Sequence, residues 1–401
     1  MKVTNKKLWQ SGSGQGLHPL VENYTVGDDY LLDQRLLGYD IHASEAHVAM
    51  LQSIGILTKT ELKELNEALG SLYKEWVSGF FKVLPEHEDG HTAIEIYLTE
   101  KLGQVGKKIH TGRSRNDQAL VMMRLYLKDK LAELAGMSTQ VAMTYETAAK
   151  KAGATPMPGY THSQKAMPTT VATWLCSFAD GFADVQALLT ATIGIIDQNP
   201  LGSAAGFGVS LPIDRQHTTN SLDFQKTQAN PMYCGLSRGL FELMAVQALS
   251  PLMVLAGKFA QDMLMFTTQE FNFFSLPANL TTGSSIMPHK HNYDLFEIMR
   301  GQVNGFGSYS QQLQAIACGT GSGYNRDLQL TKGITIAAID STMATLKVLE
   351  LSVGQLKLNK DALVAAMTGE LNTVAELNKL VERGVPFRDA YQVVKQGLQD
   401  G

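Results

Sequence analysis

The sequence has few of the features that mark secreted, membrane-bound or metal-binding proteins. Its three cysteines, Cys176, Cys234 and Cys318, lie far apart in apolar segments without C-x-x-C spacing. An odd number of such cysteines indicates reduced, buried thiols. The opening MKVTNKKLWQ lacks the apolar core of a signal peptide, and no apolar run reaches transmembrane length. These absences predict a cytoplasmic protein with no membrane partner.

Excess charge of one sign and strand signals are also scarce. Charged residues make up 18% of the chain and the formal net charge is -4, so nothing indicates a nucleic-acid partner. The pairs His42/His47 and His87/His91 lack convergent partners, and His289 and His291 are not spaced as ligands on a helix face, so no metal site is predicted. Alternation typical of β-strands is almost absent.

Helical periodicity is what the sequence has instead. Residues 1 to about 28 are polar and glycine-rich and predict an irregular arm. From Asp29 onward helical patterns dominate. The first clear amphipathic helix begins at Thr58 or Thr60 as N-cap, with Glu61 and Glu64 in its first turns. Its apolar residues recur every three or four positions, at Leu62, Leu65, Leu69, Leu72 and Trp76.

Five longer helices are predicted further along the chain. The first runs from just after Gln118 to about 152, and the second from just after Pro168 to about 198. The third, fourth and fifth cover about 236–271, 295–317 and 328–351. Pro251 predicts a kink in the third, and Pro386 opens a short helix after Gly384. The pattern indicates an all-α bundle. Segments such as 171–189 are apolar on more than one face, which fits a monomer with a thick core or, as we prefer, an oligomer.

The polar breaks between these helices carry the candidate chemistry. The stretch TTGSSIMPHKHNYD, residues 281–294, combines glycine, serines and proline and predicts a loop on a rigid scaffold. It offers a candidate base in Ser284 or Ser285, a cation in Lys290 and an amide in Asn292. Together these groups suit a substrate that bears carboxylates.

A second break, HTGRSRNDQ, places Arg113 and Arg115 around Ser114. Arginine forks bind carboxylates in a bidentate manner, and the amide of Asn116 can add a hydrogen bond. The same residues are typical of a helix N-terminus, with Ser114 or Asn116 as cap and Asp117 favouring the helix dipole. The two interpretations are compatible.

Two further breaks bear polar groups. GYTHSQ carries Thr161 and His162, and this histidine could transfer a proton if a carboxylate such as Glu297 oriented it. YNRDLQLTK carries Tyr324, Gln329 and Lys332, with the last two on one helix face. By themselves these three residues are more typical of an ordinary helix start with an exposed lysine.

The motifs resemble a known family when they are taken together. GSSIMPHKHN resembles the G-S-S-x-M-P-x-K-x-N motif of the aspartase/fumarase superfamily, whose members eliminate fumarate from substituted succinates. TGRSRNDQ, GYTH-x-Q, PLG-x-x-AG, YN-x-DLQ and GVPFR occur in the same order as in the argininosuccinate lyase family, and residues 32–51 are similar to its first helix. The similarity spans nearly the whole chain.

The resemblance implies an all-α, three-domain fold with a central bundle of long helices, divided at 1–110, 111–353 and 354–401. It implies a homotetramer whose sites are each built from three subunits. It also implies a small-molecule substrate, with no cofactor and no metal.

The resemblance also implies a role for each candidate residue. Ser284 would remove the Cβ proton, while Lys290 and Asn292 would hold the carboxylate on which charge develops. His162, paired with Glu297, would assist proton transfer to the leaving nitrogen. Two binding groups follow: Ser114, Arg115, Asn116 and Thr161 for the succinyl carboxylates, and Tyr324, Gln329 and Lys332 for the arginine end.

The sequence departs from the family at several positions. Asp29 stands where the family usually has a substrate-binding serine, and an acid there would repel a carboxylate or meet a cation. Residues 220–233 lack the family's S-D-R-D-F segment, and Tyr293 replaces a usual proline. The C-terminal domain is short. Two alternatives therefore stay open: a sister enzyme such as adenylosuccinate lyase, for which no phosphate-binding set is evident, or a silent, crystallin-like structural relative.

Overall fold

A computed structural model of the chain describes residues 17–398, and most of these residues are helical. The helices of the described part have the following bounds: α1 Pro19–Val26, α2 Asp29–Ser53, α3 Lys59–Val77, α4 Gly90–Leu102, α5 Gln104–Lys107, α6 Arg115–Ala152, α7 Val171–Ile196, α8 Arg215–Ser221, α9 Pro231–Leu236, α10 Leu240–Phe266, α11 Asp294–Cys318, α12 Thr331–Gly354, α13 Lys360–Ala365, α14 Thr373–Glu382 and α15 Phe387–Gly397. This composition confirms the all-α prediction.

The strands of the described residues are short and form two-stranded pairs. Their bounds are β1 Pro156–Thr161, β2 Gln164–Thr170, β3 Gln198–Asn199, β4 Lys226–Thr227, β5 Phe274–Ser275, β6 Thr282–Gly283, β7 His291–Asn292 and β8 Lys357–Leu358. β1 pairs with β2, β5 with β8 and β6 with β7, all antiparallel, whereas β3 and β4 are parallel.

The described chain divides into two compact units. The first, which we call unit 1, comprises residues 17–129, 193–243 and 312–336, and unit 2 comprises 130–192, 244–311 and 337–398. The three-domain division at 110 and 353 stays a prediction.

Each unit has its own apolar core. In unit 1, α2, α3 and α4 pack through buried aliphatic side chains, among them Leu37, Leu51, Leu69 and Leu98. In unit 2 the core is aromatic: the ring of Tyr145 stacks on Phe182, with centroids 5.9 Å apart, and meets Phe259 edge-on at 5.3 Å. Such rings bury large apolar areas and make the interior rigid.

The predicted helices are confirmed. α3 begins after Thr58, whose hydroxyl accepts from the N–H of Glu61 while the Glu61 carboxylate accepts from the N–H of Thr58. This reciprocal capping box selects Thr58 over Thr60 as the cap. The five long helices lie at α6, α7, α10, α11 and α12, and α15 follows Pro386. Periodicity located them because each helix buries a continuous apolar stripe.

Two segments differ from the prediction. Residues 19–26 form α1 rather than an irregular arm, because the His18 side chain caps the helix and Pro19 occupies its first turn; residues 1–16 lie outside the described part. Residues 156–170 form a β-hairpin, although prolines argue against strands. Pro158 faces Pro168 across the ribbon, and a two-stranded ribbon has two free edges, where a missing N–H costs no pairing.

The predictions about long apolar runs and thiols also need correction. α7 and α10 have the length and apolar composition of membrane spans. In the most apolar stretch of each helix, a third of the residues are buried in α7 and half are buried in α10. One or two such helices are weak evidence for a membrane, because core helices share these properties. Cys234 is buried as predicted, but Cys176 is half-buried and Cys318 is exposed.

The capping box at α3 makes a stability prediction. We expect Thr58→Ala to lower the free energy of unfolding by about 1 kcal/mol, because it removes one of the two reciprocal cap bonds. Thr60→Ala, in the same turn, is the matched control and should change it by less than about 0.5 kcal/mol. Urea denaturation of both variants measures the difference, and equal losses would contradict the assignment of the cap.

Candidate active site

Unit 1 contains a polar cavity of about 800 Å³. Both acidic and basic side chains line it, as a site for a charged metabolite requires. Seven of the thirteen residues that the sequence nominated lie in its wall: Asp29, Ser114, Arg115, Asn116, Tyr324, Gln329 and Lys332. The fold thus brings together two polar breaks that are far apart in the sequence, HTGRSRNDQ and YNRDLQLTK, and adds Asp29 at the start of α2.

The start of α6 is fixed by a buried carboxylate. Asp117 accepts from the backbone N–H of Ser114 at 2.8 Å and from those of Gly202 and Ala204 at 3.0 and 2.9 Å. Burial raises the pKa of Asp117, although these bonds and Arg113 oppose the shift. The sequence suggested only a dipole role for this residue. In the structure it joins the TGRSRND and PLGSAAG motifs, and so places Arg115 and Asn116 at the cavity.

Arg115 is held by an acidic segment. Its guanidinium lies 3.4 Å from a carboxylate oxygen of Glu88 and 3.5 Å from one of Asp89, and it donates to the Thr92 hydroxyl at 2.6 Å. These residues belong to the EHEDGHTAIE stretch, 86–95. The guanidinium is therefore oriented before any ligand arrives, and a ligand carboxylate would compete with two protein carboxylates for it.

Lys332 is buried between two aspartates. Its ammonium forms ion pairs with Asp29, at 2.8 Å, and with Asp33. Asp33 also accepts from the N–H of Gly90 at 2.8 Å. Burial acts to lower the pKa of Lys332, but Asp33 and Asp29 outweigh it and raise the pKa. Lys332 is thus a charged, oriented group at the cavity wall, and Asp33 is a partner that the sequence did not reveal.

The segment before α12 contributes an aromatic and an amide. The guanidinium of Arg238 lies 4.8 Å from the centre of the Tyr324 ring, a cation–π contact. Gln329 donates to the carbonyl of Thr25 at 3.1 Å, and Arg326 donates to the same oxygen at 3.0 Å. The end of α1 is therefore attached to this wall. Nothing in the sequence pattern singled out Arg238.

A buried His–Asp pair forms another part of the wall. His91 Nδ1 lies 2.5 Å from a carboxylate oxygen of Asp40, and both side chains are almost fully buried. Burial acts to lower the pKa of His91, but Asp40 outweighs it and raises the pKa. His91 Nε2 has no hydrogen-bond partner among the described residues, and His91 lines the cavity. Asp40 thus fixes the ring of His91 in the cavity wall.

The remaining six candidates lie in unit 2. Thr161 ends β1, and His162 and Ser163 make the turn to β2 with φ of 53° and 60°. A two-residue hairpin turn of this kind requires left-handed φ at both central positions, where glycine and asparagine are usual, so His162 and Ser163 are uncommon residues here. Both side chains nominated here, Thr161 and His162, are exposed.

The loop at residues 281–294 is the tip of a second hairpin, between β6 and β7. The Ser284 hydroxyl oxygen accepts from the N–H groups of Met287, at 3.0 Å, and Ile286, at 3.3 Å. Lys290 and Glu297 are exposed and Asn292 is half-buried. Among the described residues of this single chain, no hydrogen bond or ion pair joins His162 to Glu297, so that pairing stays a prediction.

Comparison with known proteins defines the family. The Lyase family profile matches residues 19–305. The chain is 40% identical to the argininosuccinate lyase of Thermotoga neapolitana, over 98% of both sequences. It is 42% identical to that of Xanthomonas campestris, over 96% of this chain and 89% of the relative. The chain belongs to the argininosuccinate lyase family of the aspartase/fumarase superfamily, as its motifs predicted. It is therefore an enzyme, a lyase.

Solved structures agree on the fold. An EDDS lyase superposes with a TM-score of 0.80 at 22% identity, covering 95% of this chain and 76% of that one. A class II fumarase from Schistosoma mansoni superposes with a TM-score of 0.79 at 15% identity, covering 94% and 87%. These similarities confirm the predicted fumarase-like helical architecture.

The buried His91–Asp40 pair predicts a pH-dependent contribution to stability. Because the pKa of His91 is raised in the folded chain, this contribution is complete below the ordinary pKa of 6.5 and is lost as the pH rises through the folded value. We expect Asp40→Asn to destabilise the fold by about 3–5 kcal/mol at pH 6, and by less at higher pH. Denaturant titrations across pH measure this.

A matched control lies on the same helix. His42 and Glu45 form an exposed pair at 3.6 Å, so Glu45→Gln should cost less than about 1 kcal/mol at any pH. A pH-independent loss in Asp40→Asn would show that the carboxylate acts through packing alone.

Proposed function

We propose that the enzyme catalyses the reversible β-elimination of argininosuccinate to arginine and fumarate. The observation that carries the proposal is about 40% identity to argininosuccinate lyases over nearly the full chain. The clustering of seven motif residues around one charged cavity supports it. No observation favours adenylosuccinate lyase or a silent structural relative. We also propose that the enzyme acts in the cytoplasm.

Ser284 is the proposed general base. A serine hydroxyl is a poor base until its alkoxide is stabilised. The two N–H groups that donate to the Ser284 oxygen would stabilise that negative charge, and Lys290 of the same loop would add to the effect. The alkoxide would take the proton from Cβ of the succinyl group. Lys290 and Asn292 would then hold the carboxylate on which negative charge develops.

His162 and Glu297 are proposed to serve the leaving group. Breaking the C–N bond leaves the bonding electron pair on the guanidino nitrogen, which takes up a proton to give the guanidinium of arginine. The exposed tip of the β1–β2 hairpin can present His162 to a partner, and the carboxylate of Glu297 would orient its ring.

The other candidates are proposed to bind the substrate. Arg115, Asn116, Ser114 and Thr161 would bind the succinyl carboxylates. Tyr324, Gln329 and Lys332 would bind the arginine end. Because Arg115 and Lys332 are already paired with protein carboxylates, their positions are fixed before binding. Such preorganisation lowers the entropic cost of holding the substrate.

We further propose a homotetramer in which neighbouring subunits complete each site. The long helices α7 and α10 carry exposed apolar residues, among them Leu188, Ile195 and Val254. Apolar surface of this kind on a bundle helix is commonly covered by another copy of the chain. Shared sites would also explain why Glu297 lacks His162 as a partner within one chain.

Replacement of the proposed base tests the chemistry. We expect Ser284→Ala to lower kcat by at least about 100- to 1,000-fold with little change in KM, because the base acts on substrate that is already bound. Release of fumarate, followed by its absorbance, measures this. Ser285→Ala, the adjacent hydroxyl in the same loop, is the control and should keep most of the activity. Equal losses in both variants would assign the effect to the loop rather than to Ser284.

Subunit mixing tests the shared site. Ser284→Ala and His162→Asn should each be inactive alone. Tetramers reassembled from a mixture should regain activity, since some sites then combine an intact Ser284 from one subunit with an intact His162 from another. Recovery after mixing and sedimentation as a tetramer are the expected results. A fully active monomer would refute the assembly.

A further inference from the structure

The cavity wall contains a cluster of two aspartates and one lysine, which has one more negative than positive charge. Asp29, Asp33 and Lys332 expose 13%, 1% and 5% of their side chains. With both aspartates ionised, the cluster carries a net charge of -1. Buried charge of this kind is costly unless it is paired, so the surplus negative charge needs an explanation.

The two aspartates differ in what holds them. Asp33 is bound on both oxygens, by Lys332 on one and by the N–H of Gly90 on the other. The Asp29 side chain contacts only Lys332 among the polar groups of the described residues. Asp33 alone can neutralise and position Lys332. The surplus charge therefore belongs to Asp29, which is also the more accessible of the two and lines the cavity.

The electrostatics of Asp29 agree with this assignment. Burial raises the pKa of Asp29, Lys332 opposes the shift, and the neighbouring acids Asp33 and Asp89 add to it. One lysine therefore does not compensate for the cost of ionising Asp29. A further positive group in the cavity would stabilise the carboxylate.

We propose that Asp29 binds the α-ammonium group of the amino-acid end of the substrate, while Lys332 binds its α-carboxylate. This rests on the proposed function, in which that end is arginine. An α-ammonium and an α-carboxylate hang on one carbon, so their receptors must lie side by side, as Asp29 and Lys332 do at 2.8 Å. When the ligand enters, its two charges replace the partners in the Asp29–Lys332 ion pair.

This exchange leaves each charged group of the cluster and of the ligand end in contact with at least one opposite charge. Asp29 gives up Lys332 and gains the ligand ammonium, while Lys332 keeps Asp33 and gains the ligand carboxylate. An uncharged residue at position 29 could not form an ion pair with the ligand ammonium. Asp29 therefore makes the site selective for ligands that carry a free α-amino group. The alternative is that Asp29 only competes with the ligand carboxylate for Lys332, and then its removal would strengthen binding of every carboxylate ligand.

The test compares two small ligands by calorimetry. Arginine carries the α-amino group, and 5-guanidinopentanoic acid is the same molecule without it. We expect wild type to bind arginine about 10- to 100-fold more tightly, the contribution of a hydrogen-bonded charge pair. In Asp29→Asn this ratio should fall to within about threefold of one, through weaker binding of arginine. Asp28→Asn, at the adjacent exposed position, is the control and should keep the wild-type ratio.

Several outcomes would overturn the inference. They are an equal affinity of wild type for both ligands, an unchanged ratio in Asp29→Asn, or tighter binding of both ligands by that variant, which is the competition result. If Asp29→Asn does not fold, Asp29→Ser serves as the second variant, and the wild-type ratio remains decisive. Fumarate release from argininosuccinate by wild type is measured separately. A positive assay with an equal ratio refutes only the role of Asp29, whereas a preference for arginine without fumarate release refutes only the reaction.

Discussion

The ion pair between Lys332 and Asp33 is the interaction on which the cavity depends. It joins α12 to α2, and the bond from the N–H of Gly90 to Asp33 adds the start of α4. A buried ammonium needs a partner to remain charged, and this one has it in a group that is itself fixed by the backbone. Three helices from distant parts of the sequence are thereby held around one polar space. Asp117 acts in the same way at the start of α6.

The helices could be predicted from the sequence, whereas the anchors could not. Apolar spacing located the long helices, and the capping pattern located the start of α3, because both signals are local. Asp33, Asp40 and Asp117 look like ordinary helical acids in the sequence. Only tertiary contacts show that each one is buried and bound. The proline-containing hairpin was missed for a different reason: its two strands are neighbours in the sequence, but the prolines in both argue against strands.

The candidate residues were found through motifs, and the structure adds how they are held. Seven of them share a cavity in unit 1, while Ser284 and His162 occupy the tips of two hairpins in unit 2. Binding groups on packed helices are fixed in advance. Groups at hairpin tips have fewer neighbours, and such segments commonly move when a ligand binds. The sequence analysis weighed His91 only as a metal ligand beside His87, and Arg238 escaped it because a lone arginine carries no pattern.

The turn at His162 and Ser163 has a consequence for the evolution of the enzyme. Left-handed backbone at a non-glycine residue stores about 1–3 kcal/mol of strain. Glycine at position 163 would release part of this strain, yet it would also widen the range of orientations open to the neighbouring imidazole. Under the role proposed for His162, a gain in stability at position 163 would therefore be accompanied by a less ordered catalytic side chain.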